Sequence, residues 1–132
     1  MMKPFAIRLG VPEMLAYWQH LSTGAKEGTL ASDERQLFQK WGQAMAHLAM
    51  NPAYPGLHTH EIPQLSKRYD KGRKVFQSYL ENRNSRAARM YWVYGPEHHD
   101  ITVIGLEPHP EDKKKNGYQK VLLSDLPPQS AF

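Results

Sequence analysis

Residues 89–115 read RMYWVYGPEHHDITVIGLEPHPEDKKK, and this stretch decides the fold. Two runs rich in aromatic and β-branched residues, Arg89–Tyr94 and Ile101–Glu107, flank Gly95-Pro96-Glu97-His98-His99-Asp100, a composition that favours a turn. The pattern predicts an antiparallel hairpin. Its second strand runs into Pro108-His109-Pro110, where two prolines remove ladder donors, so His109 is expected where the strand ends and the chain leaves the sheet. An imidazole held there beside basic residues is the first place to look for chemistry.

Before the hairpin, Val75–Leu80 alternates, with Phe76 and Leu80 on one face and Gln77 and Tyr79 on the other, which reads as a half-buried strand. Residues 81–85 connect it to Arg89. Residues 63–74 carry Pro63, Asp70 and Gly72 among many charges and read as a basic loop. Leu57–Ile62 (LHTHEI) reads as a short edge strand that projects His58 and His60 from the same face. A protein zinc site needs a third ligand, and no diagnostic spacing supplies one, so no metal or other cofactor is expected. The adjacent His98-His99 pair reads as a solvated turn.

Towards the N-terminus, Phe5, Ile7 and Leu9 alternate with Ala6 and Arg8 as in a strand buried on one face. Pro12 and Glu13 open a helix whose Met14, Leu15, Trp18 and Leu21 share a face, and Ser22-Thr23-Gly24 closes it. Residues 22–31 then read as a polar connection. Ser32 is the expected N-cap of a longer helix, with Asp33 and Glu34 at its positive end and Leu37, Phe38, Trp41, Ala44, Met45, Leu48 and Ala49 on one stripe, up to Asn51-Pro52. After the hairpin, Glu111–Asn116 is a charge run, and Val121–Leu123 forms a last short strand or helical turn. The order is strand, helix, helix, then three or four antiparallel strands. It defines an α+β domain with two helices packed on one face of a small antiparallel sheet, the other face carrying the basic cluster and His109. A single domain is expected over 1–132, with residues 1–30 supplying the N-terminal strand and helix and residues 111–132 a C-terminal extension.

The chain has 132 residues, 40% apolar and 23% charged, and no cysteine. Disulfides and thiolate metal sites are thereby excluded, and with no signal peptide or membrane-length apolar run a cytoplasmic location is expected. The net charge of +4 is unevenly spread. Residues 67–89 hold eight basic side chains against two acidic ones, whereas the part before them is balanced and the part after them is net acidic. Such clustering fits a polyanionic partner, and Lys67, Arg68, Lys71, Arg73, Lys74, Arg83 and Arg86 are the candidate nucleic-acid contacts; the same charges also suit a solvated face.

From the long helix ending at Asn-Pro, through PGLHTHEI and VFQSYL, to RMYWVYGP…DITVIGLEPHPED, the chain resembles the RelE/ParE toxin superfamily of bacterial toxin–antitoxin systems over roughly residues 30–110. The resemblance implies a small sheet with two helices on one face and a toxin neutralised by a cognate antitoxin peptide or protein. It implies as activity either mRNA cleavage at the ribosome or poisoning of DNA gyrase. By this resemblance, Arg89 matches the arginine that opens the first hairpin strand of the cleaving members, and His109 the histidine near the end of their last strand. Gln77, Ser78 and Tyr79 stand where cleaving members often carry basic residues.

RNA cleavage without a metal needs a base for the 2′-hydroxyl, a positive group on the phosphate and an acid for the leaving oxygen. His109 is the candidate base or acid, and Arg89 the group that stabilises the developing phosphorane charge. Glu107 or Tyr79 is the candidate second proton-transfer group, and Tyr91 or Trp92 the candidate stacking platform for a base. A non-catalytic alternative has Arg89 pairing with Glu107 and the aromatic residues filling the sheet core. The chain is then a binding module, either a gyrase-directed toxin or a basic nucleic-acid-binding domain. Register separates the two arrangements. If Tyr94 pairs with Ile101, Arg89 lies opposite Leu106 and His109 falls on the other face, unless a one-residue bulge or the break at Pro108 brings them together.

Overall fold

The computed structural model describes residues 3–69, 72–80, 88–107 and 121–129. Strand β1 (Ala6–Leu9) leads into helices α1 (Glu13–Glu27) and α2 (Ser32–Met50), a 3₁₀ turn (Pro55–Leu57), strand β2 (His60–Glu61) and a short helix α3 (Pro63–Tyr69). Strands β3 (Phe76–Tyr79), β4 (Arg89–Tyr94) and β5 (Asp100–Glu107) complete the elements. The strands form one sheet in the order β1-β5-β4-β3-β2. The α+β class is the one expected, but the sheet is mixed: β2 to β5 are antiparallel neighbours, whereas β1 lies parallel to β5. Parallel neighbours need a crossover. Here everything from α1 to β4 supplies it, so the chain returns from the far edge of the sheet to pair with its own first strand.

Helices α1 and α2 cover one face. Met14, Leu21, Trp41, Ala44 and Leu48 pack against Leu80, Met90, Trp92, Ile101 and Val103, with Phe5, Ile7, Leu9, Trp18 and Phe38 around them. The α2 stripe is thus buried as its spacing required. Leu15 is instead exposed: one residue advances a helix by about 100°, which carries it off the stripe of Met14, Trp18 and Leu21. Helix α1 also runs past Gly24 to Glu27, where Gly28 in the left-handed region donates its N–H to the Gly24 carbonyl. Gly24 does not end the helix because Leu30 folds back onto it; a Cβ on Gly24 would stand 2.4 Å from Leu30 Cδ2.

The cap of α2 is Ala31 rather than Ser32. Alanine has no side-chain acceptor, and the Glu34 carboxylate takes the Ala31 N–H at 3.2 Å while its other oxygen meets His20 at 3.2 Å. The hydrogen bonds from His20 and Ala31 hold the Glu34 carboxyl below its ordinary range. A depressed folded value means that Glu34 stabilises the fold fully above the unfolded carboxyl range, and that this contribution fades as pH falls through the lower folded value. Glu34→Gln should therefore cost stability at neutral pH and in mild acid alike, with the gap to wild type closing only in stronger acid, below the ordinary carboxyl range; thermal melts from neutral to strongly acid pH read this directly.

The second face of the sheet is not open as expected. Ile62 and Leu65 of the α3 region and Val121 of the C-terminal segment close over Val75, Tyr91, Val93 and Ile104, flanked by Tyr69, Leu123 and Leu126. The segment read as a basic loop holds α3, because Ile62, Leu65 and Tyr69 recur at helical spacing and Pro63 starts the turn. Residues 121–129 form neither a named strand nor a helix. They run extended, with Asp125 bridging Val11, the Ser124 N–H donating to the Ile104 carbonyl at 2.7 Å and Tyr69 Oη donating to the Ser124 carbonyl at 2.7 Å.

Candidate functional site

Tyr94 pairs with Ile101, as the hairpin reading supposed. The register then slips between Tyr91 and Trp92: Trp92 faces Val103 while Tyr91 faces Gly105, so Ile104 is an extra residue inside β5. The bulge lies in the strand rather than in the turn, and it moves Arg89 from Leu106 to Glu107. Tyr79 is the partner of Arg89 on the other side. Tyr79, Arg89 and Glu107 thus occupy one rung across β3, β4 and β5, on the sheet face away from α1 and α2. His109 lies outside the described residues, as do Lys71, Arg83, Arg86 and the 81–85 connection.

Arg89 is only 4% exposed. One guanidinium nitrogen donates to Gln77 Oε1, and the Arg89 Cζ sits 5.0 Å from the centroid of the Tyr79 ring. Gln77, itself fully buried, turns its amide nitrogen to His60 Nε2 at 3.3 Å, and His60 Nδ1 lies 3.0 Å from the His58 carbonyl. An amide nitrogen only donates and a carbonyl only accepts, so this geometry fixes the His60 ring with its proton on Nδ1. A directed chain of hydrogen bonds results, from the buried guanidinium through Gln77 to an exposed imidazole. Gln77 occupies a position where a basic residue was looked for; its value here is that one amide presents an acceptor to Arg89 and a donor to His60.

His58 and His60 do not share a strand face. Only His60 is on β2, and His58 caps the 3₁₀ turn in the left-handed region, its ring edge-on to Tyr79 at 5.9 Å. The two stacking candidates are also buried, Tyr91 and Trp92 being almost wholly inaccessible. Trp92 Nε1 donates to Ser78 Oγ at 2.9 Å, and that hydroxyl meets Thr59 Oγ1 at 2.6 Å. The hairpin aromatic that reaches the surface is Tyr94, 44% exposed, with its phenol pushed up by partial burial. His98 is exposed in the turn, but His99 stacks on Phe5 at 4.3 Å and meets the Lys3 carbonyl at 2.7 Å.

The described basic residues divide. Arg68 donates to the Val121 carbonyl and ties down the C-terminal segment, and Arg73 donates to the Tyr94 carbonyl at 2.7 Å beside the β4–β5 turn. Lys67 and Lys74 are exposed. On the helix side of the sheet, Lys40, Gln43 and His47 of α2 face Tyr54, Leu57 and the end of β3 at Tyr79 and Leu80 across a cavity of about 230 Å³. The α2 residues were hidden from the sequence reading because they lie off the apolar stripe that marks the helix. Among the described residues no helix is long and apolar enough to cross a membrane. The chain matches no protein-family model, no curated protein and no solved structure.

Proposed function

We propose that the protein is a toxin of the RelE/ParE type, a cytoplasmic, metal-independent mRNA endoribonuclease that acts at the ribosome and is held inactive by a cognate antitoxin. The observation that carries this reading is the single rung of Tyr79, Arg89 and Glu107 on three separate strands, Arg89 being the residue the resemblance points to and the other two candidates for their chemistry. Glu107 and Tyr79 supply proton-transfer groups and Arg89 a cation among them, and His109 follows Glu107 by two residues. The exposed Lys67 and Lys74 add phosphate contacts of the kind that set affinity and salt dependence.

A second reading draws on the burial of Arg89. A guanidinium committed to Gln77 and Tyr79 organises the sheet instead of meeting a phosphate, and the chain is then a non-catalytic binding module, gyrase-directed or nucleic-acid-binding. Induced expression in bacteria separates the two, with wild type beside His109→Ala and Glu107→Gln at equal protein levels. Growth arrest relieved by both substitutions, with new 5′ ends on mRNA, is the nuclease outcome. Arrest that both variants retain removes the nuclease reading and leaves the binding module.

A further inference from the structure

The hydrogen bonds that run from Arg89 to His60 have one direction, and it is set from the buried end. A guanidinium has no acceptor, so Gln77 turns Oε1 to Arg89 and its NH2 towards the surface. His60 Nε2 must then accept from that NH2, while Nδ1–H donates to the His58 carbonyl at 3.0 Å. The other neutral tautomer sets a donor against the Gln77 amide and an acceptor against the His58 carbonyl. A protonated ring carries N–H on both nitrogens, so Nε2–H meets the Gln77 NH2. If the amide rotates to accept from the imidazolium, it turns that NH2 on Arg89 instead. Neutral His60 with its proton on Nδ1 is thus the one state in which each of these contacts pairs a donor with an acceptor. A mismatch weighs heavily here, because Gln77 is fully buried and an unmatched buried amide bears its full desolvation cost.

We infer that His60 is a positioning residue for Arg89, acting through Gln77, and that protonation of His60 withdraws the acceptor that orients the guanidinium. His60 pairs with Gln77, and Gln77 stands two residues from Tyr79 on β3, so the imidazole lies on the same sheet face as the rung of Tyr79, Arg89 and Glu107. It is exposed, so a proton reaches it from solvent, and histidine is the side chain that titrates nearest neutrality. On β3 it faces the Gln77 amide, with Arg89 and the Tyr79 phenol beyond. In the turn it faces the His58 carbonyl, the His58 ring being edge-on to Tyr79. The carboxylate of its neighbour Glu61 is held by Ser66 Oγ of α3 at 2.8 Å, Lys67 of α3 is exposed, and Arg68 and Tyr69 are turned to the C-terminal segment. The inference rests on the nuclease reading in what it says of cleavage; the coupling of Arg89 to His60 stands on hydrogen-bond geometry.

The experiment follows the ring nitrogens of His60 and the side-chain signals of Gln77 and Arg89 by nuclear magnetic resonance of the full chain as pH is lowered from neutral. The expected result is a His60 ring in the Nδ1–H form at the start, and Gln77 and Arg89 signals that shift with the midpoint of His60. His60→Gln keeps an acceptor that does not titrate and should hold the Arg89 signals constant. His60→Lys only donates and should give at neutral pH the Arg89 signals that wild type shows in acid. Circular dichroism checks that both variants are folded, and the wild type with His60→Gln decides the matter if His60→Lys is not. In cleavage, the ratio of the wild-type rate to that of His60→Gln cancels the other titrating groups, His109 included. It should fall through the His60 midpoint by up to about a hundredfold in kcat, the scale of a misplaced catalytic group. The inference is overturned if His60 holds the Nε2–H form at neutral pH, if Arg89 stays constant while His60 titrates, or if Arg89 titrates unchanged in His60→Gln. It is overturned equally by a folded His60→Lys protein with the neutral wild-type signals, or by a flat rate ratio in a protein that cleaves. Failure of the nuclease reading looks different: Arg89 follows His60 in a protein that cleaves no RNA.

Discussion

Arg89→Lys is expected to lower RNA cleavage by about 10²- to 10³-fold, the range found when one preorganised donor to a developing oxyanion is removed. The substitution keeps the charge, so it tests geometry. Lysine has no planar fork to bond Gln77 Oε1 while lying flat over the Tyr79 ring, and its ammonium is more strongly hydrated than a guanidinium and costs more to bury. The same replacement should reduce stability by about 1.5–3 kcal/mol, the usual scale for a hydrogen bond to a charged group at a buried site. Cleavage must therefore be assayed well below the thermal midpoint of the variant, with circular dichroism confirming its fold. Gln77→Leu completes the test. It leaves Arg89 in place and removes the amide that orients it, so cleavage should fall in the same direction by a smaller factor. A folded Arg89→Lys protein that cleaves at the wild-type rate would eliminate the rung as a catalytic centre. The burial of Arg89 would then belong to the architecture of the sheet, and the cleaving groups would have to be sought elsewhere.

The hairpin was legible because period-2 alternation and a Gly-Pro turn are local signals, and the pairing of Tyr94 with Ile101 follows from them. The bulge at Ile104 was not. A β-branched residue followed by glycine reads the same in a regular ladder, yet it decides whether Arg89 faces Leu106 or Glu107, and so whether the candidate residues share a face. Helix α3 was masked by its own charges: Lys67 and Arg68 drew attention to the surface, while the three apolar positions that dock it are too few to raise a strong periodic signal. Gly24 misled for the opposite reason, since a helix-breaking residue is tolerated where a neighbour, Leu30, fills the space above it. The burial of Arg89 depends on Gln77 and Tyr79, twelve and ten positions earlier on another strand, and His60 joins it only through its pairing with Gln77 across the sheet. Residue types were readable one at a time, whereas their convergence is a property of register.

Trp41→Ala carries the largest expected loss of stability, about 3–5 kcal/mol, the usual cost of removing a buried aromatic side chain and leaving a cavity. Trp41 is fully buried at the centre of α2, edge-on to Trp18 at 5.0 Å and tilted against Tyr17 at 6.1 Å. It therefore joins α1 to α2 above the sheet, and neighbours on two elements cannot collapse into the space it leaves. A single domain has roughly 5–15 kcal/mol of stability in total, so the variant should be near the edge of folding. Its indole N–H finds no hydrogen-bond partner among the described residues. That unmet donor makes Trp41→Phe the informative companion: phenylalanine loses ring area but also removes a polar group whose burial is uncompensated, and should cost clearly less than alanine. Urea denaturation of the three proteins measures both differences, provided the slopes agree. A loss below about 1 kcal/mol for Trp41→Ala would be far outside the range for a packed core position. It would mean that α1 and α2 do not close over the sheet as a single core.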